Sequence, residues 1–206
     1  MTMEELGGRV ASVWAGLRPT TRSLFERALQ SAANAPAVRS AHAYDARAEW
    51  ELSRLLAALD DRAHERGAGS LSLEQTRELG RLAETCALVL HAEARSAEVF
   101  AQLFERALGA HDYARVDTLA DTLAARMPPS EICELARHQN PAVRALALES
   151  LAQASTATLV ELLGDPVDAE VARDALAAQA YDYGSDEARW LLHALEHADA
   201  EEEDEA

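Results

Sequence analysis

From Ser130 onward the chain is written in short, regular segments. "SEICELARHQ" is followed by "NPAVRALALESLAQ", and "TATLVELLGD" by "PVDAEVARDALAAQA". Displaced by 28 residues, the two pairs register. Ile132 falls on Val160, Leu135 on Leu163, Val143 on Val171, Ala147 on Ala175 and Leu148 on Leu176, whereas Leu151 falls on Gln179. A partial third copy, "DEARWLLHAL", places Leu191 on Leu163. Each segment carries apolar residues at helical spacing, and Asn140-Pro141 reads as a helix start, with an Asn cap and a Pro at the first helical position. One short helix pair cannot bury its apolar face alone. A unit recurring at this size is therefore covered by its neighbours, which constrains the chain to stacked helix pairs.

The rest of the sequence also reads as helix. Hydrophobic residues make up 49% with few aromatics, so the core must be built mostly from Ala, Leu and Val. No segment shows sustained period-two alternation, so no strand is predicted. A first helix is predicted over 3–17, ended by Pro19, and a second is capped by Thr20 or Thr21. "NAP" at 34–36 interrupts the chain before a long helix over 38–66, which Gly67 and Gly69 stop. Ser72 and Gln75 form a capping-box pattern for a helix reaching 92–95. Further helices begin near Val99 and Tyr113, the latter stopped by Pro128 and Pro129. A final helix over 185–198, capped by Ser185, covers the open side of the stack. The predicted fold is all-α: an α-solenoid of antiparallel helix pairs, stacked right-handedly, after an N-terminal helical part that is bundle-like. The expected division is 1–95, 96–198 and a disordered acidic tail over 199–206.

The net charge of −17 is unevenly placed. Residues 1–66 are neutral, whereas 127–206 hold four arginines against eighteen acidic residues. Such a section repels a phosphate backbone and attracts a basic partner. The chain contains no lysine, and its two cysteines, Cys86 and Cys133, sit in apolar helical patterns. They read as buried free thiols, which fits a reducing cytoplasm. No signal peptide or membrane span is predicted.

"HQNPAVRALALESLA" resembles a HEAT-like repeat through Asn140, Pro141, Val143, Arg144, Ala147 and Leu151. "GDPVDAEVARDALAAQ" resembles it through Asp165 and Val171, although Arg173 follows Val171 by two residues where Arg144 follows Val143 directly. The short period is similar to the phycobilin-lyase-type and leucine-rich-variant repeats, over residues 129–198. The resemblance implies a structural Arg144 that binds a carboxylate or carbonyl of a neighbouring repeat. The stretch 96–128 is similar to a tetratricopeptide unit at Asp112, Tyr113 and Pro128, without that motif's Trp and Gly.

Candidate chemistry is sparse. His42, Asp45 and Glu49 share one helix face, Asp61 and His64 lie three apart, and Glu84 and His91 occupy the next helix. With Asp45, Glu49, His42 and His91 as ligands these would resemble a ferritin-like metal bundle, but no Glu-x-x-His occurs. There is no Gly-x-Ser-x-Gly, no phosphate loop, and no His partner for either cysteine; "RGAGS" at 66–70 reads as a helix stop. Trp50, Tyr181, Tyr183 and Trp190 are the candidate partner contacts. The expected function is a non-catalytic protein-interaction or scaffolding module that needs no cofactor and takes a basic protein partner on a repeat groove. The alternatives are a metal-binding or enzymatic bundle within 38–95, and a HEAT-like nucleic-acid module of the DNA-glycosylase kind using arginines of 9–66.

Overall fold

The computed structural model describes residues 3–32, 44–65 and 71–204. Among them there are helices and no strands. The chain divides into two compact units, Met1–Ala94 and Arg95–Ala206.

In the N-terminal unit a 3-10 turn, Met3–Leu6, precedes four α-helices: α1 (Gly8–Gly16), α2 (Pro19–Ala32), α3 (Ala46–His64) and α4 (Leu73–Glu93). The helix predicted over 3–17 is thus a 3-10 turn and a shorter α1. Pro19 does not merely end it. Pro19 is the first residue of α2, where a missing N–H costs nothing, and neither Thr20 nor Thr21 is the cap. The long helix begins at Ala46 because Asp45 caps it, its carboxylate accepting from Arg47 and Ala48 N–H. The capping box of α4 is complete. Gln75 N–H donates to Ser72 Oγ at 3.2 Å, and Ser72 N–H to Gln75 Oε1 at 2.8 Å. α3 and α4 pack as an antiparallel pair: the Cys86 thiol donates to Leu52 O, and the two residues stand at nearly matching places along their helices, counted from the facing ends His64 and Leu73. Leu52, Leu55, Leu56 and Leu59 of α3 and Leu79, Leu82 and Leu90 of α4 are buried between the helices of this unit, as their spacing requires.

The C-terminal unit contains α5 (Ala97–Gly109), α6 (Tyr113–Arg126), α7 (Pro129–Ala136), α8 (Pro141–Ala152), α9 (Thr156–Leu163), α10 (Ala169–Tyr181) and α11 (Asp186–Asp204). Consecutive helices pack as pairs: α5 with α6, α7 with α8, α9 with α10. α5, α7 and α9 also pack successively on one another, as do α6, α8 and α10; α11 packs on α10. Asn140 caps α8 through Ala142 N–H and Ser155 caps α9 through Thr158 N–H. Asp112 caps α6 through Arg115 N–H, after His111 turns the chain at φ 56°. Ser185 Oγ accepts from Ala188 N–H at 3.2 Å at the start of α11. α11 runs through Asp204 instead of ending near 198, so most of the stretch expected to be a disordered tail is helical.

The register of 28 holds only for the second helix of each pair. Val143 and Val171 are buried, as are Ala147 and Ala175. In the first helices Leu159, not Val160, takes the place of Ile132: Leu159 is fully buried and Val160 is 41% exposed. The cause is length. Four residues separate α7 from α8 and five separate α9 from α10, so the first helices register at 27.

Candidate functional site

In the N-terminal unit the polar residues of α3 gather around its start. Glu51 is 4% exposed, and its carboxylate accepts from Arg18 N–H, Arg18 Nε, Thr21 Oγ1 and Arg47 Nε. Burial works to raise its pKa, but the bonds from Thr21 and Arg18 and the Arg18 charge outweigh it and hold the carboxyl below its ordinary value. Arg18 also reaches Asp45 at 2.8 Å. The Ala48 N–H, with Arg18 and Arg47 N–H adding to it against burial, keeps the Asp45 carboxyl low. This cluster ties the α1–α2 junction to α3, and the sequence reading passed over it.

The metal candidates meet this arrangement. His42 lies outside the described residues. Asp45 is committed to the α3 cap and Arg18, Glu49 is buried and accepts from Tyr44 Oη, and Asp61 pairs with Arg9 at 2.6 Å. The His64 ring contacts Asp60 O, one turn back, and His91 is half-buried on α4. Among the described residues no group of three or more His, Cys, Asp or Glu is placed to hold a metal ion. A groove of about 570 Å³ lies between α2, α3 and α4; Leu24, Leu52, Val89 and Leu90 line it with Arg27, Asp45, Glu49 and Glu93. Trp50 is 50% exposed beside this cluster, with the Arg54 guanidinium 4.8 Å from its ring centroid.

In the C-terminal unit three candidate contacts lie within or close in sequence to the α10–α11 turn. Gly184, at φ +70°, adopts a conformation that few other residues take, and Ser185 N–H reaches back to Gln179 O at 2.9 Å. Tyr181 and Trp190, on either side of this turn, are each 70% exposed. Tyr183 is exposed as well, but its phenol donates to Glu149 Oε1 at 2.5 Å, fastening the turn to α8. That hydrogen bond, with the nearby Glu149 and Asp182 charges, pushes the phenol pKa up. Arg189 pairs with Asp186 at 2.6 Å and donates to Ala180 O near the end of α10. The surface here is acidic, with Glu149, Asp182, Asp186 and Glu187 exposed. The whole unit holds eight arginines against 23 acidic residues.

Of the residues that carried the HEAT-like resemblance, Asn140 caps α8, Pro141 is its first residue and Val143 is buried in its first turn. Arg144 binds carbonyls, but not those of a neighbouring pair: its Nη1 donates to His138 O and Gln139 O in the turn before its own helix, both at 2.9 Å. One link between pairs is Arg137, which donates to Val167 O at 2.6 Å and to the buried Asp168 carboxylate. Asp165 accepts from Val167 N–H at 2.8 Å and shapes the α9–α10 turn. Arg173 lies exposed on α10, while Ala172, at the place corresponding to Arg144, is fully buried.

No protein-family model, curated protein or solved structure matches the chain. Among the described residues no helix is long and apolar enough to cross a membrane. Among the described residues the protein is all-helical, with packed neighbouring helices in two compact units.

Proposed function

We propose that the chain is a non-catalytic protein-interaction or scaffolding module whose acidic C-terminal unit receives a basic protein partner. The observation that carries this reading is the α10–α11 corner, where Tyr181 and Trp190 stand exposed among exposed carboxylates. Large, rigid aromatic side chains bury much area on binding at little entropic cost, and they dominate the energetics of many interfaces. The surrounding carboxylates select a partner of opposite sign and speed its approach. They repel nucleic acid for the same reason.

The scaffold we infer for this surface is a short α-solenoid of the HEAT-like kind. Its support is the packing of α5–α10 in successive pairs, with α5, α7 and α9 in one row and α6, α8 and α10 in another. Arg137, reaching from one pair to the turn of the next, supplies a polar link of the sort that fixes a stacking angle.

The test is capture from a lysate of the native host with the immobilised full chain, washed at 0.05 M and then 0.5 M salt. Partners are expected to be basic and to leave at the higher salt, because exposed charges are screened over about 10 Å at 0.1 M. They are expected to be lost on Tyr181→Ala combined with Trp190→Ala. Capture indifferent both to salt and to that variant contradicts the reading.

A further inference from the structure

The helix that carries Trp190 also carries a pair of histidines. His193 and His197 stand four residues apart on α11, so both side chains leave the same face of the helix. Both are exposed, and their rings stack with centroids 5.9 Å apart and planes 26° apart. The chain has seven histidines, and this is its one pair at helical i, i+4 spacing. The opposite side of α11 carries the buried Ala188 and the partly covered Leu191, Leu192 and Leu195, so the helix is anchored in its unit by a different face.

Two imidazoles one turn apart on a fixed helix make a chelate, the spacing by which helical His-x3-His pairs present nitrogen to zinc. With metal–nitrogen bonds of about 2.0–2.1 Å, two neighbouring imidazoles on one ion hold their centroids about 5 Å apart. The present separation of 5.9 Å is a little wider than that. Imidazole nitrogen suits late first-row ions, whereas Mg²⁺ and Ca²⁺ take oxygen. We propose that His193 and His197 form a binding site for a divalent transition metal of the Ni²⁺, Cu²⁺, Zn²⁺ group, with two imidazoles as the protein ligands and water completing the shell. The site is independent of the interaction reading, and it lies outside the metal candidates of residues 38–95.

Calorimetric titration of the untagged, chelator-stripped full chain with CuCl2, NiCl2 and ZnCl2 tests it, with MgCl2 as the negative ion. The expected result is one saturable site, tightest for Cu²⁺ in keeping with the usual order of divalent affinities. His193→Ala and His197→Ala should each weaken Ni²⁺ binding at least tenfold, and the double variant should abolish it. His64→Ala, at another exposed helical histidine, should leave it unchanged. All these side chains are exposed, and circular dichroism of each variant verifies that the helices persist. The absence of saturable binding overturns the proposal, as does binding that survives the double variant.

Discussion

Gln179 stands where the repeat pattern asks for leucine. Its side chain is buried, and its amide donates to Ala152 O at 3.1 Å and Ala154 O at 2.7 Å, satisfying carbonyls at the close of α8. Gln179→Leu would match the pattern and leave those carbonyls without their partner. It is expected to lower unfolding free energy by about 1–3 kcal/mol in urea titrations, the cost of stranding buried polar groups. The thiols make a second check at this scale. Burial first, then the Asp168 and Asp165 charges, raise Cys133 to about 11, and Cys86 is fully buried with its thiol donated to Leu52 O. Neither thiol is expected to react with a disulfide reagent at pH 8 in the native protein, and both should react in denaturant. Local polar roles were legible in the sequence, since Asn140, Asp112 and the Ser72–Gln75 box act within three residues of themselves. The Arg137–Asp168 bond was not, because it joins residues 31 apart and no local pattern marks it.

Among the elements, the start of α3 shows how a buried charge orders its neighbours. Glu51 has its carboxyl pKa lowered by Thr21 and Arg18 despite burial, so its ionised form is the one the fold favours. That contribution is present above the ordinary carboxylate range, and it is lost as pH falls through the lowered value. Glu51→Gln keeps the shape and removes the charge. At pH 7 it is expected to cost about 1–2 kcal/mol, the loss of charge-assisted hydrogen bonds to a partly exposed Arg. On acidification to pH 3 the wild type should lose more stability than the variant, read as the difference in urea midpoints. Helix positions followed from apolar spacing and breakers, but two details depended on three-dimensional fit. Pro19 reads equally as a stop or as a first helical residue, and only the placement of α2 decides. The one extra residue in the α9–α10 turn moved Leu159 inward and Val160 outward, a shift that a 28-residue alignment conceals.

For the molecule as a whole, the legible property was class: Ala- and Leu-rich segments without period-two alternation made helices throughout the described residues. The candidate contact surface was legible only as four aromatic names. Exposure singled out Tyr181 and Trp190, the Glu149 bond gave Tyr183 a fastening role, and Gly184 set the turn that carries them. The His193–His197 pair was readable from spacing alone, as the chain's one i, i+4 histidine pair. The central claim is that the chain acts through the outer surface of its C-terminal unit. Amide hydrogen exchange of the full chain, measured with and without a basic protein that it captures, tests this most directly. The expected result is slowed exchange in the α10–α11 turn and along the adjoining turns of both helices, with the α3–α4 pair unchanged. Protection confined to residues around the N-terminal groove, with none at 180–195, would contradict it.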